Sequence, residues 1–287
     1  MKKKIGIIYQ KSNKIGYGHY IRSLRLAKIL KKKYIVNCIE LKKNSEILSK
    51  LKKKKYNLYL FDLKNYSQKI NKLKNVLIFE DINQELKKII SINPLDNDLP
   101  NSGPEYFTYP NSFKNKKKNF SYSKKKLNIL VVQGRNDSNN QLKKLIDLLV
   151  FNQKKIKFNF IINVKVKKNF NIKKNNLIKF LPSFKNEYDI YKNIDIAISG
   201  VGNTAYELGY FGIPTIHFST EKREVNRAKF FHKKKLAPYI TPDKTKLIIN
   251  EINKFYVNDK YRKKIIYKRI KFFKKNNKIS KFINEII

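Results

Sequence analysis

The sequence predicts an α/β protein made of two tandem units, each with a parallel sheet, and three observations support this. Short apolar runs alternate with amphipathic stretches of helical period along the whole chain, the pattern of parallel strands joined by helical crossovers. A segment dense in Lys, Asn and Ser, Asn111 to Lys126, interrupts the alternation, which then restarts. At 287 residues the chain exceeds one ordinary domain and accommodates two units of about 100–150 residues each.

In the first half, strands are expected at Ile5–Tyr9, Tyr34–Glu40, Leu58–Asp62 and Val76–Phe79, and helices at Tyr20–Lys32 and Ser45–Lys54. Ile21, Leu24, Ala27 and Leu30 recur at helical spacing and mark the face of the first helix that packs on the sheet. In the second half, strands are expected at Leu127–Val132, Phe158–Val164, Leu177–Leu181, Asp195–Ser199 and Thr215–Phe218. Helices are expected there at Gln141–Phe151, Glu187–Lys192 and Thr204–Phe211, with further helices to the C-terminus. The expected units are residues 1–115 and 116–287, although the last Lys-rich helices could equally fold back onto the first.

The formal net charge of +45 raises the question of nucleic-acid binding. Only seven of the 66 basic residues are Arg, however, and the Lys are spread over nearly every segment, as a Lys-, Asn- and Ile-biased genome would produce. A nucleic-acid surface concentrates charge on one face or tail, so no specific nucleic-acid partner is expected, only a mild attraction for anionic substrates or anionic lipid. Apolar residues make up 41% of the chain, with 19 Phe and 18 Tyr, which excludes a disordered protein. Cys38 is the single cysteine, so there is no intrachain disulfide and no Cys-based metal site. No pair of His has metal-ligand spacing, and no cofactor is expected. Ile5–Tyr9 is too short for a signal-peptide core, and no window approaches the roughly 20 apolar residues of a membrane span. A reducing, cytoplasmic setting and a monomer are the corresponding expectations.

Three strand–turn–helix junctions carry candidate site residues. The first, Lys14 to Ala27, follows the first strand. Gly16 and Gly18 permit close approach of a ligand, His19 opens the helix, and Arg22 follows one turn on. Its G-x-G lacks the third glycine of the dinucleotide fingerprint. The second runs from Asp195 to Pro214. Ser199, Gly200 and Gly202 lead into a helix near Asn203 and Thr204, whose free N–H groups suit a diphosphate, and Glu207 is placed to accept from ribose hydroxyls. In the third, Val131 to Asn139, Gly134 admits a ligand, Asp137 and Ser138 lie at a helix start, and Arg135 is a candidate phosphate partner or a solvated charge. Asp62, Glu80 and Asp81 are lesser candidates as carboxylates at strand ends. His217 is expected near the ligand end of its strand and His232 on the surface.

On these residues the chain resembles the UDP-sugar hydrolases of pseudaminic acid biosynthesis and their spore-coat polysaccharide relatives, near the family 28 glycosyltransferases. Ile15-Gly-Tyr-Gly-His-Tyr-Ile-Arg22 and Ser199 through Pro214 are the most specific matches. Phe79-Glu-Asp81, Gly103-Pro-Glu-Tyr106 with Phe113, and Gln133-Gly-Arg-Asn-Asp137 follow in order. The resemblance implies a GT-B-like fold, two Rossmann-like domains facing a cleft, with a sugar side in the first and a nucleotide side in the second. It implies metal-independent attack of water on the anomeric carbon of a UDP-2,4-diacetamido-2,4,6-trideoxy sugar, with His19 catalytic. Gly200, Gly202, Asn203, Thr204 and Glu207 would then bind the nucleotide. Arg135 stands where the family usually has a glycine, and Ser23 where many relatives have a Cys. The alternatives are a GT-B glycosyltransferase using a glycan or lipid acceptor, and a nonenzymatic anion binder.

Overall fold

The computed structural model of the chain describes residues 2–11, 18–43, 46–51, 54–63, 68–80, 89–120, 126–133, 141–152, 159–165, 177–181, 187–219 and 221–287. It divides into two compact units, Met1–Asn111 with Lys275–Ile287, and Ser112–Lys274.

The first unit holds β1 (Lys4–Gln10), β2 (Ile35–Leu41), β3 (Leu58–Asp62), β4 (Val76–Phe79) and β5 (Ile90–Ile92). They pair in the order β2-β1-β3-β4-β5, every pair parallel. Every residue of β3 and β4 is buried, as expected of central parallel strands covered on both faces. On one face, Leu26, Ala27 and Leu30 of α1 (Gly18–Leu30) meet Ile5, Ile7, Leu60 and Leu77. On the other, Ile47 and Leu51 of α2 (Ile47–Leu51) join Ile8, Phe61 and Ile78. Ala27 and Leu30 pack as the periodicity predicts, whereas Ile21 and Leu24 are 37% and 40% exposed.

Lys275–Ile287 corrects the expectation of a second unit running unbroken to residue 287. Its helix α9 (Ile279–Ile286) buries Ile279 and Ile283 in the first unit's core, and Asn277 Nδ2 donates to the Phe107 carbonyl at 2.8 Å. The three-residue β5 is a further addition to the expected strands.

The second unit holds β6 (Lys126–Val132), β7 (Asn159–Lys165), β8 (Ile178–Leu181), β9 (Ile196–Ser199) and β10 (Thr215–His217), parallel throughout in the order β10-β9-β6-β7-β8. Its helices are α3 (Gln141–Phe151), α4 (Glu187–Tyr191), α5 (Asn203–Tyr210), α6 (Lys222–Lys233), α7 (Leu247–Val257) and α8 (Asp259–Phe273). Leu142, Leu145, Ile146 and Leu149 of α3 share one face and pack on Ile129, Val131 and Ile162, the helical period of three and four made physical. Gly209 of α5 lies flat against the Phe273 ring of α8, where any Cβ would collide with it. Phe113, in the segment read as a linker, is buried against Tyr191, Tyr210 and Phe211, which assigns it to the second unit's core.

Strand order fixes where ligands bind. In open parallel sheets the ligand crevice lies beyond the carboxyl ends of the two strands between which the chain reverses its direction of build. In the first unit those strands are β1 and β3, and in the second they are β6 and β9.

Candidate functional site

The first unit's reversal point is occupied by an imidazole and two buried carboxylates. His19 lies in the first turn of α1, and Asp62 is the last residue of β3. His19 Nδ1 and Asp62 Oδ1 are 2.6 Å apart. An ionised carboxylate can only accept, so Nδ1 carries the proton and Nε2 is left as an acceptor. The His19 side chain keeps 19% of its surface, while Asp62 keeps 1%.

Arg22, one turn further along α1, grips the same carboxylate. Its Nε donates to Oδ2 at 2.8 Å and its Nη2 to Oδ1 at 2.5 Å, a bidentate fork, with the guanidinium 5.4 Å over the Phe79 ring. Ser23 Oγ adds a long contact to Asp62 Oδ2 at 3.4 Å. Burial would raise the Asp62 carboxyl, but the charge and hydrogen bonds of Arg22, and then of His19, outweigh it and hold the group down at about 2. The third nitrogen of Arg22, Nη1, faces Glu80 Oε1 at 3.3 Å. Glu80 follows β4 with a left-handed backbone, φ 63°, and its Oε1 also accepts from the Leu95 N–H at 3.0 Å.

Arg22 is one of the candidate site residues of the first junction, where the sequence suggests substrate or nucleotide binding. It is 3% exposed and wedged between two carboxylates, so in this structure it positions Asp62. Asp62 and Glu80, weighed in the sequence only as strand-end carboxylates, are the direct partners of His19 and Arg22. What the sequence lacked was strand order: β3 lies beside β1, and Tyr9 pairs with Asp62. Gly18 opens α1, while Gly16 and Asp81 lie outside the described residues.

At the second unit's reversal point, β9 ends at Ser199 and α5 begins at Asn203 with Gly202 as its N-cap residue. Gly202, Asn203 and Thr204 are partly exposed. The Val201 N–H is taken by Glu224 of α6, whose Oε2 accepts from it at 3.1 Å and also from the Ser219 hydroxyl. The same carboxylate lies against Gly200, where a Cβ would make the Glu224 side chain shift. Glu224 is the residue that motif reading missed, because it enters the turn from the next helix.

Glu207 is 4% exposed and its Oε2 accepts from the Tyr191 hydroxyl at 2.7 Å. Ser199 is 1% exposed, and its backbone carbonyl receives the Phe218 N–H at 3.0 Å. Gly134, Arg135, Asp137 and Ser138 lie outside the described residues. His217 is fully buried in the core of the second unit instead of facing a ligand, and His232 is exposed. Among the described residues no group of His, Cys, Asp and Glu could hold a metal ion, and no helix is long and apolar enough to cross a membrane.

No protein-family model matches the chain, and no curated protein matches it. Solved structures do, over almost its whole length. Spinosyn rhamnosyltransferase SpnG complexed with thymidine diphosphate aligns with a TM-score of 0.71 at 8% identity, covering 99% of each chain. MurG of Acinetobacter baumannii aligns at 0.63 and 15% identity, again covering 99% of each. WaaG, a glycosyltransferase involved in lipopolysaccharide biosynthesis, aligns at 0.62 and 12%, with the same coverage. The chain therefore has the two-domain, Rossmann-like α/β fold of the GT-B glycosyltransferases.

Proposed function

We propose that the protein is a metal-independent glycosyl-transferring enzyme that uses a nucleoside diphosphate sugar. The observation that carries this reading is the His19–Asp62 pair at the first unit's reversal point: an imidazole held in one tautomer by a buried carboxylate, with Nε2 free to take a proton. The full-length likeness to sugar-transferring enzymes, one with thymidine diphosphate bound, supports it. His19 Nε2 removes the proton of an acceptor hydroxyl as its oxygen bonds to the anomeric carbon. The bond from that carbon to the diphosphate breaks, and the diphosphate leaves with the electron pair. The partly exposed N–H groups at the start of α5 receive the nucleotide's negative charge, while Glu207, buried against the Tyr191 hydroxyl, holds α5 from behind instead of meeting the ribose as the sequence led us to expect.

The acceptor is a hydroxyl of a glycan or lipid. A second reading, with water as acceptor and a UDP-2,4-diacetamido-trideoxy sugar as donor, is favoured by the resemblance of Ile15–Arg22 to the sugar hydrolases. The setting for either is cytoplasmic, where nucleotide sugars are made, and the working unit is a monomer.

The test is a time course of nucleoside diphosphate release from UDP- and dTDP-sugars, without metal, with and without oligosaccharide or glycolipid acceptors. Release only with an acceptor, abolished by His19→Ala while nucleotide affinity persists, is the expected result. Release from the UDP-diacetamido sugar in buffer alone establishes the hydrolase instead. Failure to bind any nucleoside diphosphate defeats both readings.

A further inference from the structure

The first unit contains a second buried carboxylate, which reaches Arg22. Glu80 is 7% exposed, and its backbone sits at φ 63°, a conformation that costs a non-glycine residue on the order of 1 kcal/mol. Its N–H donates to the Ile92 carbonyl at 2.9 Å, and its side chain is fixed by the Leu95 N–H at 3.0 Å and by Arg22 Nη1 at 3.3 Å. The Arg22 guanidinium is thus shared between Asp62 and Glu80.

Charge balance gives this arrangement a purpose. The Arg22 charge, held on the same carboxylate that meets His19 Nδ1, opposes a positive charge on the imidazole. With Glu80 present, the Asp62, Arg22 and Glu80 charges sum to a single negative charge, and an imidazolium at His19 brings the cluster to neutrality. From the geometry we infer that Glu80 is a positioning residue that offsets Arg22 and thereby sets the basicity of His19. This rests on His19 being the base of the proposed reaction, but its electrostatic content stands without any substrate.

Other charged and titratable groups of the first unit have partners of their own. Lys11 pairs with Glu40 at 3.7 Å at the ends of β1 and β2, and Arg25 Nη1 reaches the Thr108 carbonyl at 3.5 Å. The Tyr9 ring packs 5.4 Å from that of Tyr20, and burial and then the Glu40 charge raise its hydroxyl, keeping it neutral.

The experiment is a proton NMR titration of the imidazole Hε1 signals, which three histidines make assignable by single His→Gln replacements. Glu80→Gln keeps an acceptor for the Leu95 N–H and removes the charge, and it should lower the His19 midpoint by roughly half to one pH unit. Arg22→Gln should move it up by a similar amount, while His232 stays put. A His19 midpoint unchanged or raised in folded Glu80→Gln overturns the inference, since a merely structural Glu80 would alter only the melting temperature. If Glu80→Gln does not fold, the uncharged Glu80→Asn, whose residue type tolerates the left-handed backbone, takes its place, with the same downward shift expected and its absence refuting the inference. In the enzyme, the acid limb of the rate profile should follow the same shift. A shift in the NMR midpoint without one in the rate profile would refute His19 as base and leave the electrostatic role of Glu80 intact.

Discussion

At the Asp62 carboxylate two effects oppose each other. Burial penalises its charge, while Arg22 and His19 reward it, and the second effect wins, so the group ionises near 2 instead of its usual 3.8. A carboxyl depressed on folding contributes stability above the unfolded value and loses it as pH falls through the folded one. That places the window between about 4 and about 2, and the contribution at roughly 2 kcal/mol. Asp62→Asn keeps the shape and removes the charge. Its stability deficit against wild type, followed by thermal unfolding, should be largest at neutral pH and shrink across that window. The same substitution releases His19 from its tautomer and should cut turnover by about 100-fold or more, measured as diphosphate release. Glu224 presents the opposite case, a carboxylate placed where a phosphate is expected. Its hold on the Val201 N–H puts a negative charge beside the start of α5. Glu224→Gln preserves the acceptor and should tighten UDP binding by about three- to ten-fold in calorimetry, with no change for uridine. An equal or weaker affinity would place the diphosphate elsewhere. His19 was legible in the sequence from the glycines before it and the helix after it. Its partner Asp62 was not, nor was Glu80 beside Arg22, because both arrive through strand order, and a motif does not encode which strand lies beside which.

Among the elements, those with a clear period were legible to within a residue or two. α3 coincides with its expected span, as do β3 and β4. The three residues of β5 are too few for alternation to register, and α2 is described over Ile47–Leu51, inside its expected span. The strand β10 shows how an element can be found while its functional sense is misread. His217 stands at its end, the end expected to lie nearest a ligand, but α6 covers it, with the Phe231 ring centroid 5.5 Å away. Burial, and next the Arg269 charge, push the imidazole down to about 3, with only the Ser199 carbonyl pulling the other way. The folded protein therefore keeps His217 neutral, whereas the unfolded chain protonates it below 6.5. Stability from this group is complete above 6.5 and is lost as pH falls toward 3. His217→Phe, which leaves no orphaned nitrogen, should flatten the fall of melting temperature across that range. A mutant whose melting temperature falls as steeply as wild type would mean that His217 is not what senses acid.

For the whole molecule, the chain crosses from the first unit to the second after Asn111 and returns after Lys274. The return was invisible to periodicity, because the apolar stripe of α9 states that the helix packs without stating on what. The structure shows Ile279 and Ile283 fully buried with Ile5, Leu58 and Leu77 in the first unit. Burying two such side chains contributes about 3–6 kcal/mol, comparable to the entire stability of a domain this small. Polar ties run alongside, from Lys278 N to the Glu105 carbonyl at 2.8 Å and from Lys3 Nζ to the Ile287 carbonyl at 3.0 Å. The two units should therefore separate asymmetrically. Residues 112–274 expressed alone should fold, with a cooperative thermal transition and dispersed amide resonances. Residues 1–111 alone should not, because the core face under α9 is left open. Joining 275–287 to residue 111 through a flexible linker should restore the transition, and Ile283→Ala in that fusion should lower stability by about 2–4 kcal/mol. A cooperative melt for 1–111 by itself would show that the sheet and α1 suffice, and would reduce α9 to a surface attachment.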